Sequence, residues 1–334
     1  MKEHDSFLKK DVLRTQKVRV IVRLSALGDI LLAVPVARYL LNQDIIPVWV
    51  IGKKFEAISP YLPGKKLILD GVNNLLKTVR ILKNLEPESI CDLQGKLLSF
   101  VLVRLLGVPG TYYRKRSFEE NFKVISGEFP VKCSDSRPVW KRYLDAAVLP
   151  CDSPDPSLNF PADLYQRGRL LFNNFFGKMD KLPILVHPSA SHNGKFFPED
   201  GLRTIIQKLN LPVGIIGDNP KGIYLKDATD LRGKVPLELL PVIIKLSRGV
   251  ITTDSGPMHL TRAVNRKFAA FFFQTDPLLG FSPIPGGDFI LFSESLDCKP
   301  CSLHGQREKC PNGTWQCRNM DWKSIADRLA KYFQ

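Results

Sequence analysis

The sequence predicts an α/β protein made of two halves, each a parallel sheet flanked by helices. Three observations lead there. The chain has 334 residues, well above the roughly 150 that one ordinary domain uses. Short apolar runs alternate with longer helix-patterned runs, the rhythm of βαβ units, once from Val18 and again from Ile184. Between the two series, Pro150, Pro154, Pro156 and Pro161 interrupt any long element, so residues 150–162 read as a connection. The expected division is 1–160, 161–320 and a terminal helix in 321–334 that could pack back on either half, the first being the expected one.

The elements follow in order. Val18–Leu24 is a strand, Ile30–Leu41 an apolar helix and Val48–Ile51 the next strand. Leu67–Leu69 and Ile90–Leu93 read as short buried strands. Leu97–Leu106 is a helix that stops at Gly107, with Pro109 just beyond. The segment Gly110–Arg116 mixes Tyr112 and Tyr113 with Arg114, Lys115 and Arg116. In the second half a helix over Leu164–Phe176 precedes strands at Ile184–His187, Val213–Gly217, Gly249–Thr253 and Phe268–Phe273. Trp322–Phe333 is an amphipathic last helix.

Composition narrows the function. The N-terminus is polar through Lys17, and no later apolar run reaches the roughly 18 residues of a membrane span, so a cytoplasmic protein is expected. The net charge of +15 is spread evenly, with 26 Lys/Arg against 18 Asp/Glu in residues 1–167 and 22 against 15 in the rest. Such a field attracts polyanions. With no nucleic-acid-binding zinc finger, RNP-type aromatic motif or basic heptad helix, nucleic acid is not the expected partner, which leaves anionic lipid or a phosphorylated ligand. Seven cysteines, four of them between Cys298 and Cys317, argue against a secretory disulfide scaffold.

Three segments carry candidate chemistry, each where a strand gives way to a helix. In Ser25-Ala26-Leu27-Gly28-Asp29-Ile30, Asp29 stands in the first helical turn, where it either caps the helix or projects as a general base, with Gly28 giving a substrate access to the backbone. In His187–Glu199, Lys195 is suited to neutralise a diphosphate beside the loop hydroxyls Ser189 and Ser191. A solvated loop lysine is the plainer alternative. In Thr252–Leu260, a helix starting near Gly256 offers free N–H groups to an anion, while Asp254 or Ser255 could equally be its N-cap, and His259 a diphosphate ligand or a core histidine.

These residues together resemble glycosyltransferase family 9, the heptosyltransferases of the lipopolysaccharide inner core. The resemblance runs from Arg23 to about Met320, through Ser25–Ile30 with Pro35, Asp92-Leu93-Gln94-Gly95, His187-Pro188 with Lys195 and Pro198, Leu231–Lys234 before Leu237-Glu238-Leu239, and Asp254–Leu260. It implies a GT-B fold, two Rossmann-like domains facing a central cleft, with acceptor on the first and nucleotide donor on the second. It implies an inverting transfer without a metal, from an ADP-heptose donor to a lipid A-anchored oligosaccharide, at the inner face of the cytoplasmic membrane. The absence of an Asp-x-Asp triplet agrees.

By position, the resemblance makes Asp29 the base. It assigns Lys195, Ser189, Ser191, Asp254, Ser255, Gly256, His259 and Leu237 to the donor. It assigns Ser25, Gly28, Gln94, Arg114 and Arg116 to the acceptor. The chain departs from the family at Phe273–Pro277, at Phe197 in place of Trp and at Ser189 in place of Gly. For an acid on the donor ribose, only Asp218 is a candidate. Cys298, Cys301, Cys310 and Cys317 include one pair with zinc-ribbon spacing, which suits a structural zinc or iron–sulfur cluster or else free thiols. Three other readings stay open. They are transfer from another nucleotide sugar, nicotinamide-dependent oxidoreduction, disfavoured because no Gly-x-Gly-x-x-Gly follows a strand, and non-catalytic polyanion binding.

Overall fold

The computed structural model describes residues 17–114, 129–131, 135–177, 180–218, 223, 225–226 and 228–334. It divides into two compact units. The first holds the described residues up to Arg114 with Trp140–Pro156, and the second holds Ser157–Gln334 with the described residues of 129–139.

The first sheet contains β1 (Val18–Val22), β2 (Ile46–Gly52), β3 (Lys65–Leu69), β4 (Ser89–Asp92) and β5 (Gly110–Tyr112), in the order β3-β2-β1-β4-β5 with every pair parallel. The chain starts in the middle, winds out to β3, then crosses back to β4. Strand order therefore reverses between β1 and β4, and the loops leaving those two strands part at the place where open α/β sheets bind ligands. Register sets Val22 beside Asp92 there.

The expected helix over Ile30–Leu41 is two, α1 (Leu27–Leu32) and α2 (Val34–Leu41). Pro35 falls in the first turn of α2, where its missing N–H costs nothing. On one face of the sheet, alternate valines of β1 and β2 meet Leu75, Val79 and Leu82 of α3 (Leu75–Asn84) and Leu102, Val103 and Leu106 of α4 (Leu97–Leu106). The period of two in the strands thus matches the helical spacing of three and four. Beyond β5, α5 (Val139–Ala146) brings Tyr143 into the unit.

The second sheet has β6 (Ile184–His187), β7 (Val213–Ile215), β8 (Ala228–Asp230), β9 (Gly249–Thr253), β10 (Lys267–Phe272) and β11 (Phe289–Ser293). Their order is β11-β10-β9-β6-β7-β8, again all parallel. Its reversal lies between β6 and β9. Helices α6 (Ala162–Phe176), α7 (Glu199–Leu209), α8 (Leu240–Leu246) and α9 (Gly256–Ala263) belong to this unit.

The terminal helix α10 (Trp322–Phe333) corrects one expectation. It packs in the second unit, not the first: Trp322, Ala326, Leu329 and Phe333 join the core that holds Leu202, Ile205 and Leu209 of α7. Gly201 makes this possible, because a Cβ there would lie 2.4 Å from the Trp322 ring. Lys208 and Asp327 close the contact with an ion pair of 2.7 Å. The 160/161 division also shifts, to 156/157, and the described residues of 129–139 join the second unit although they precede it in the chain.

Candidate active site

In the first unit the reversal point is built on charge. Arg23, one residue past β1, is 2% exposed yet carries a guanidinium, so it needs compensation. It donates to the Leu93 carbonyl and pairs with the Asp29 carboxylate at 2.6 Å, with its guanidinium 5.3 Å from the centre of the Tyr143 ring. The Tyr143 hydroxyl donates to Oδ1 of Asp29 at 2.9 Å, and the Ala26 N–H reaches Oδ2 at 3.3 Å. Asp29 therefore does act as a capping carboxylate, but its stronger partners lie outside its helix.

Burial raises the Asp29 carboxyl, and the Arg23 charge, the Tyr143 hydroxyl and the Ala26 N–H outweigh it, leaving the group below its usual range. Asp29 is thus ionised at neutral pH. Burial, followed by the Asp29 charge, pushes the Tyr143 phenol well above its ordinary value, so it stays a donor.

Gln94 ties the two loops together. Its Oε1 accepts the Leu24 and Ser25 N–H groups at 2.9 and 3.1 Å, and its Nε2 faces the Ser25 hydroxyl at 3.4 Å. Asp92 in turn fixes the Gln94 loop by accepting the Gln94 N–H at 2.8 Å and the Ser99 hydroxyl at 2.8 Å. Ser25, Gly28, Asp29 and Gln94 are thereby brought into one loop cluster. Arg114 is exposed just past β5, and Arg116 lies outside the described residues.

In the second unit the reversal point pairs opposite charges. Lys195, on the turn after β6, places Nζ 2.9 Å from the Asp254 carboxylate and 3.0 Å from the Asp254 carbonyl, just past β9. The two side chains are 12% and 8% exposed. Ser255 precedes α9 but makes no side-chain cap; its hydroxyl instead meets Thr252 Oγ1 at 3.1 Å and His187 Nδ1 at 3.2 Å. Burial lowers the His187 imidazole to about 4, so it is neutral. The Thr253 hydroxyl donates to the Ser189 carbonyl at 3.4 Å. An ammonium, an uncapped helix start and neutral hydroxyls make a site for an anionic group.

Other donor candidates sit around this cluster or apart from it. Gly256 opens α9 and His259 is buried one turn on. Ser191 is exposed in the loop, and Leu237 lies half-buried in the turn before α8. Asp218 follows β7, with Asp230 nearby in sequence held by a bidentate bond from Arg232 at 2.9 and 2.8 Å.

The late cysteine segment braces Lys195. The Gly194 N–H donates to the Gly305 carbonyl at 3.0 Å, and the Gln274 carbonyl accepts the Cys301 N–H at 3.1 Å. A Cβ on Gly305 would lie 2.5 Å from Cγ of Lys195. Cys298, Cys301, Cys310 and Cys317 all line one small cavity and are free thiols. Among the described residues, no group of three or more His, Cys, Asp or Glu side chains is arranged to hold a metal ion.

The sequence marks Arg23 only as the start of the first resembling block, with no role at the site, and does not mark Tyr143 at all. An arginine ending a strand of valines was a signal for the first; nothing local marks the second.

Residues 75–311 match the family model of glycosyltransferase family 9 (heptosyltransferase). The loop of Asp29 precedes the matched range. A lipopolysaccharide heptosyltransferase 1 of Campylobacter coli is 27% identical over 285 residues, which cover 76% of this chain and 83% of that protein. The family 9 glycosyl transferase of Veillonella parvula superposes with a TM-score of 0.74 at 15% identity, over 95% of this chain and 97% of that one. The E. coli ADP-heptose lps heptosyltransferase II gives 0.70 at 16% identity, over 95% and 98%. The two parallel sheets agree with the GT-B fold expected from the sequence. The family match spans more than half of the chain, and the protein belongs to glycosyltransferase family 9.

Proposed function

We propose that the protein transfers a heptose from ADP-heptose to the lipid A-anchored inner core of lipopolysaccharide, with inversion and without a catalytic metal. The observation that carries this reading is the Lys195–Asp254 pair at the second reversal point. It sets a positive charge beside an uncapped helix start, on the unit that the family assigns to the donor. An incoming diphosphate would take Lys195 from Asp254 and rest against the start of α9, so that negative charge on the leaving ADP is met by the ammonium and the helix N–H groups.

Asp29 is the base of this reading. It is ionised, and an acceptor hydroxyl reaching Oδ1 in place of Tyr143 would give up its proton as its oxygen bonds the anomeric carbon and the bond to ADP breaks. A carboxylate held below its usual range is a weak base, so proton transfer falls late in that step. Ser25, Gly28 and Gln94, with Arg114 and Arg116, are the acceptor side. The net charge of +15 favours work at an anionic cytoplasmic membrane face. Among the described residues no helix is long and apolar enough to cross a membrane.

A zinc ion or iron–sulfur cluster at Cys298, Cys301, Cys310 and Cys317 is proposed as structural only. The four cysteines line one small cavity, but among the described residues no group of three or more is arranged to hold an ion. Metal analysis of the purified protein tests that.

Calorimetric titration with ADP, UDP, GDP and NAD, with and without EDTA, tests the main reading. Selective, EDTA-insensitive ADP binding is expected, followed by turnover of ADP-heptose that Asp29→Asn abolishes while leaving ADP affinity intact. Preference for UDP or GDP would change the donor, selective NAD binding would replace the reaction class, and full turnover by the variant would remove Asp29 as base.

A further inference from the structure

We propose that the outer face of α3 and α4 docks the first unit onto an anionic lipid bilayer. The proposal rests on the reading above, in which the acceptor is lipid-anchored, and names the surface that meets the lipid. In α4, Leu97-Leu98-Ser99-Phe100-Val101-Leu102-Val103-Arg104-Leu105-Leu106, only Ser99 and Arg104 are polar. A helix apolar all round is ordinarily buried all round. Here only one stripe is: Leu102, Val103 and Leu106 face the sheet, whereas Leu97 is 79% exposed, Phe100 44% and Leu105 39%. Neighbouring α3 adds Leu76 at 71%, and the turn before it Val72 at 74%.

The charge on these two segments has one sign. Lys77, Arg80, Lys83, Lys96 and Arg104 are exposed, and residues 71–85 and 95–107 contain no Asp or Glu. The Arg104 guanidinium lies 5.0 Å from the Phe100 ring centre, so a charged head sits directly beside an exposed aromatic. Apolar side chains that enter the acyl boundary, beside cations that meet lipid phosphates, are what an interfacial surface requires. A nucleic acid would use the cations and leave Val72, Leu76 and Leu97 in water. The position also fits. Helices α3 and α4 start where β3 and β4 end, the same edge of the sheet as Asp29, and Lys96 is two residues from Gln94. Lipid held on this face lies at the rim of the proposed base.

The test is co-sedimentation of the whole protein with phosphatidylcholine vesicles, with and without phosphatidylglycerol. Binding to the anionic vesicles alone is expected, falling with added salt. L97S/F100S and R80E/R104E should each lower partitioning about tenfold or more. Leu170→Ser, at a 56% exposed position on α6, should leave it unchanged. ADP affinity and melting temperature should be unaltered in all three variants, because these side chains are on the surface. Three outcomes would overturn the proposal: no vesicle binding by the parent protein, equal loss in L170S, or a parent dimer that L97S/F100S converts to a monomer, which would make the face a contact between copies. Vesicle binding is read without donor or turnover, so its failure is separate from failure of the transferase reading.

Discussion

Replacing Lys195 by methionine tests whether the charge at the second reversal point serves binding or only folding. Methionine keeps the length of the side chain that packs against Gly305 and removes the ammonium. Asp254, 8% exposed on its side chain, then loses its ion partner at 2.9 Å. Breaking a buried pair by removing one member costs about 3–5 kcal/mol, whereas replacing both members is often neutral. Because the lysine is itself 12% exposed, water can reach the gap, and the lower end, about 3 kcal/mol, is the better figure. In a unit of this size that is a fall of about 6–12 °C in melting temperature.

Donor binding should respond differently. A charge-assisted hydrogen bond contributes about 1.5–3 kcal/mol, so the variant should bind ADP about 10-fold to 100-fold more weakly. The double variant K195M/D254N separates the effects. It should recover the melting temperature and stay weak for ADP. Thermal melts and calorimetry on the parent and both variants decide the matter. If the double variant regains ADP affinity, the loss in K195M came from an unpaired Asp254 and the lysine does not hold the diphosphate. If K195M matches the parent in both measurements, the pair is neither structural nor functional.

Four further outcomes follow from the geometry. Tyr143→Phe removes a donor to the ionised Asp29, so the carboxyl should titrate at higher pH in a carbon NMR experiment, and the acid limb of the rate should move up with it; an unmoved titration would refute the contact. His187, lowered to about 4 from 6.5, is neutral when folded and takes up its proton more readily unfolded, so stability should be full above pH 6.5 and fall towards pH 4 by about 1–3 kcal/mol, discounted for its partly exposed position. His187→Gln should flatten that slope in denaturant titrations. Gly305→Ala would set a Cβ 2.5 Å from Cγ of Lys195 at a φ of +76°, and should cost about 2 kcal/mol and weaken ADP severalfold; parent-like values would show that the loop yields freely. Limiting iodoacetamide should alkylate Cys310 before Cys301: burial raises both, but the N–H groups of Trp315, Asn312 and Thr314 bring Cys310 down, whereas Cys301 is left at about 11.

Local signals in the sequence were enough for the elements that carry the site. Ile184–His187, Gly249–Thr253 and Trp322–Phe333 are found with the expected ends, because each is a strongly patterned run bounded by turn residues. The break at Ala33 was less legible: Pro35 can sit inside one helix start or begin a second, and only packing chooses. Strand β8, three residues long, has too little pattern to stand out. The fate of the last helix was not legible at all. Its apolar stripe fits any apolar surface, and what selects the second unit is the missing side chain at Gly201 on a helix more than 110 positions earlier.

The same distinction separates the identity of a site residue from its chemistry. Asp29 stands out in sequence because a carboxylate in a first helical turn after Gly28 is conspicuous. Its charge state depends on Arg23, six residues away, and on Tyr143, 114 residues away. No local pattern encodes that second contact; it exists because α5 returns to the first unit after the chain has passed through residues of the other. The consequence is mechanistic. Held by Arg23 alone, Asp29 would be an ion with one oxygen open, whereas with Tyr143 on Oδ1 an acceptor in the proposed transfer would have to displace a neutral donor before reaching the proposed base. Displacing a phenol costs less than breaking the ion pair at 2.6 Å, so in the proposed transfer the acceptor would reach Asp29 through Oδ1, and Tyr143 rather than Arg23 would be the group to yield.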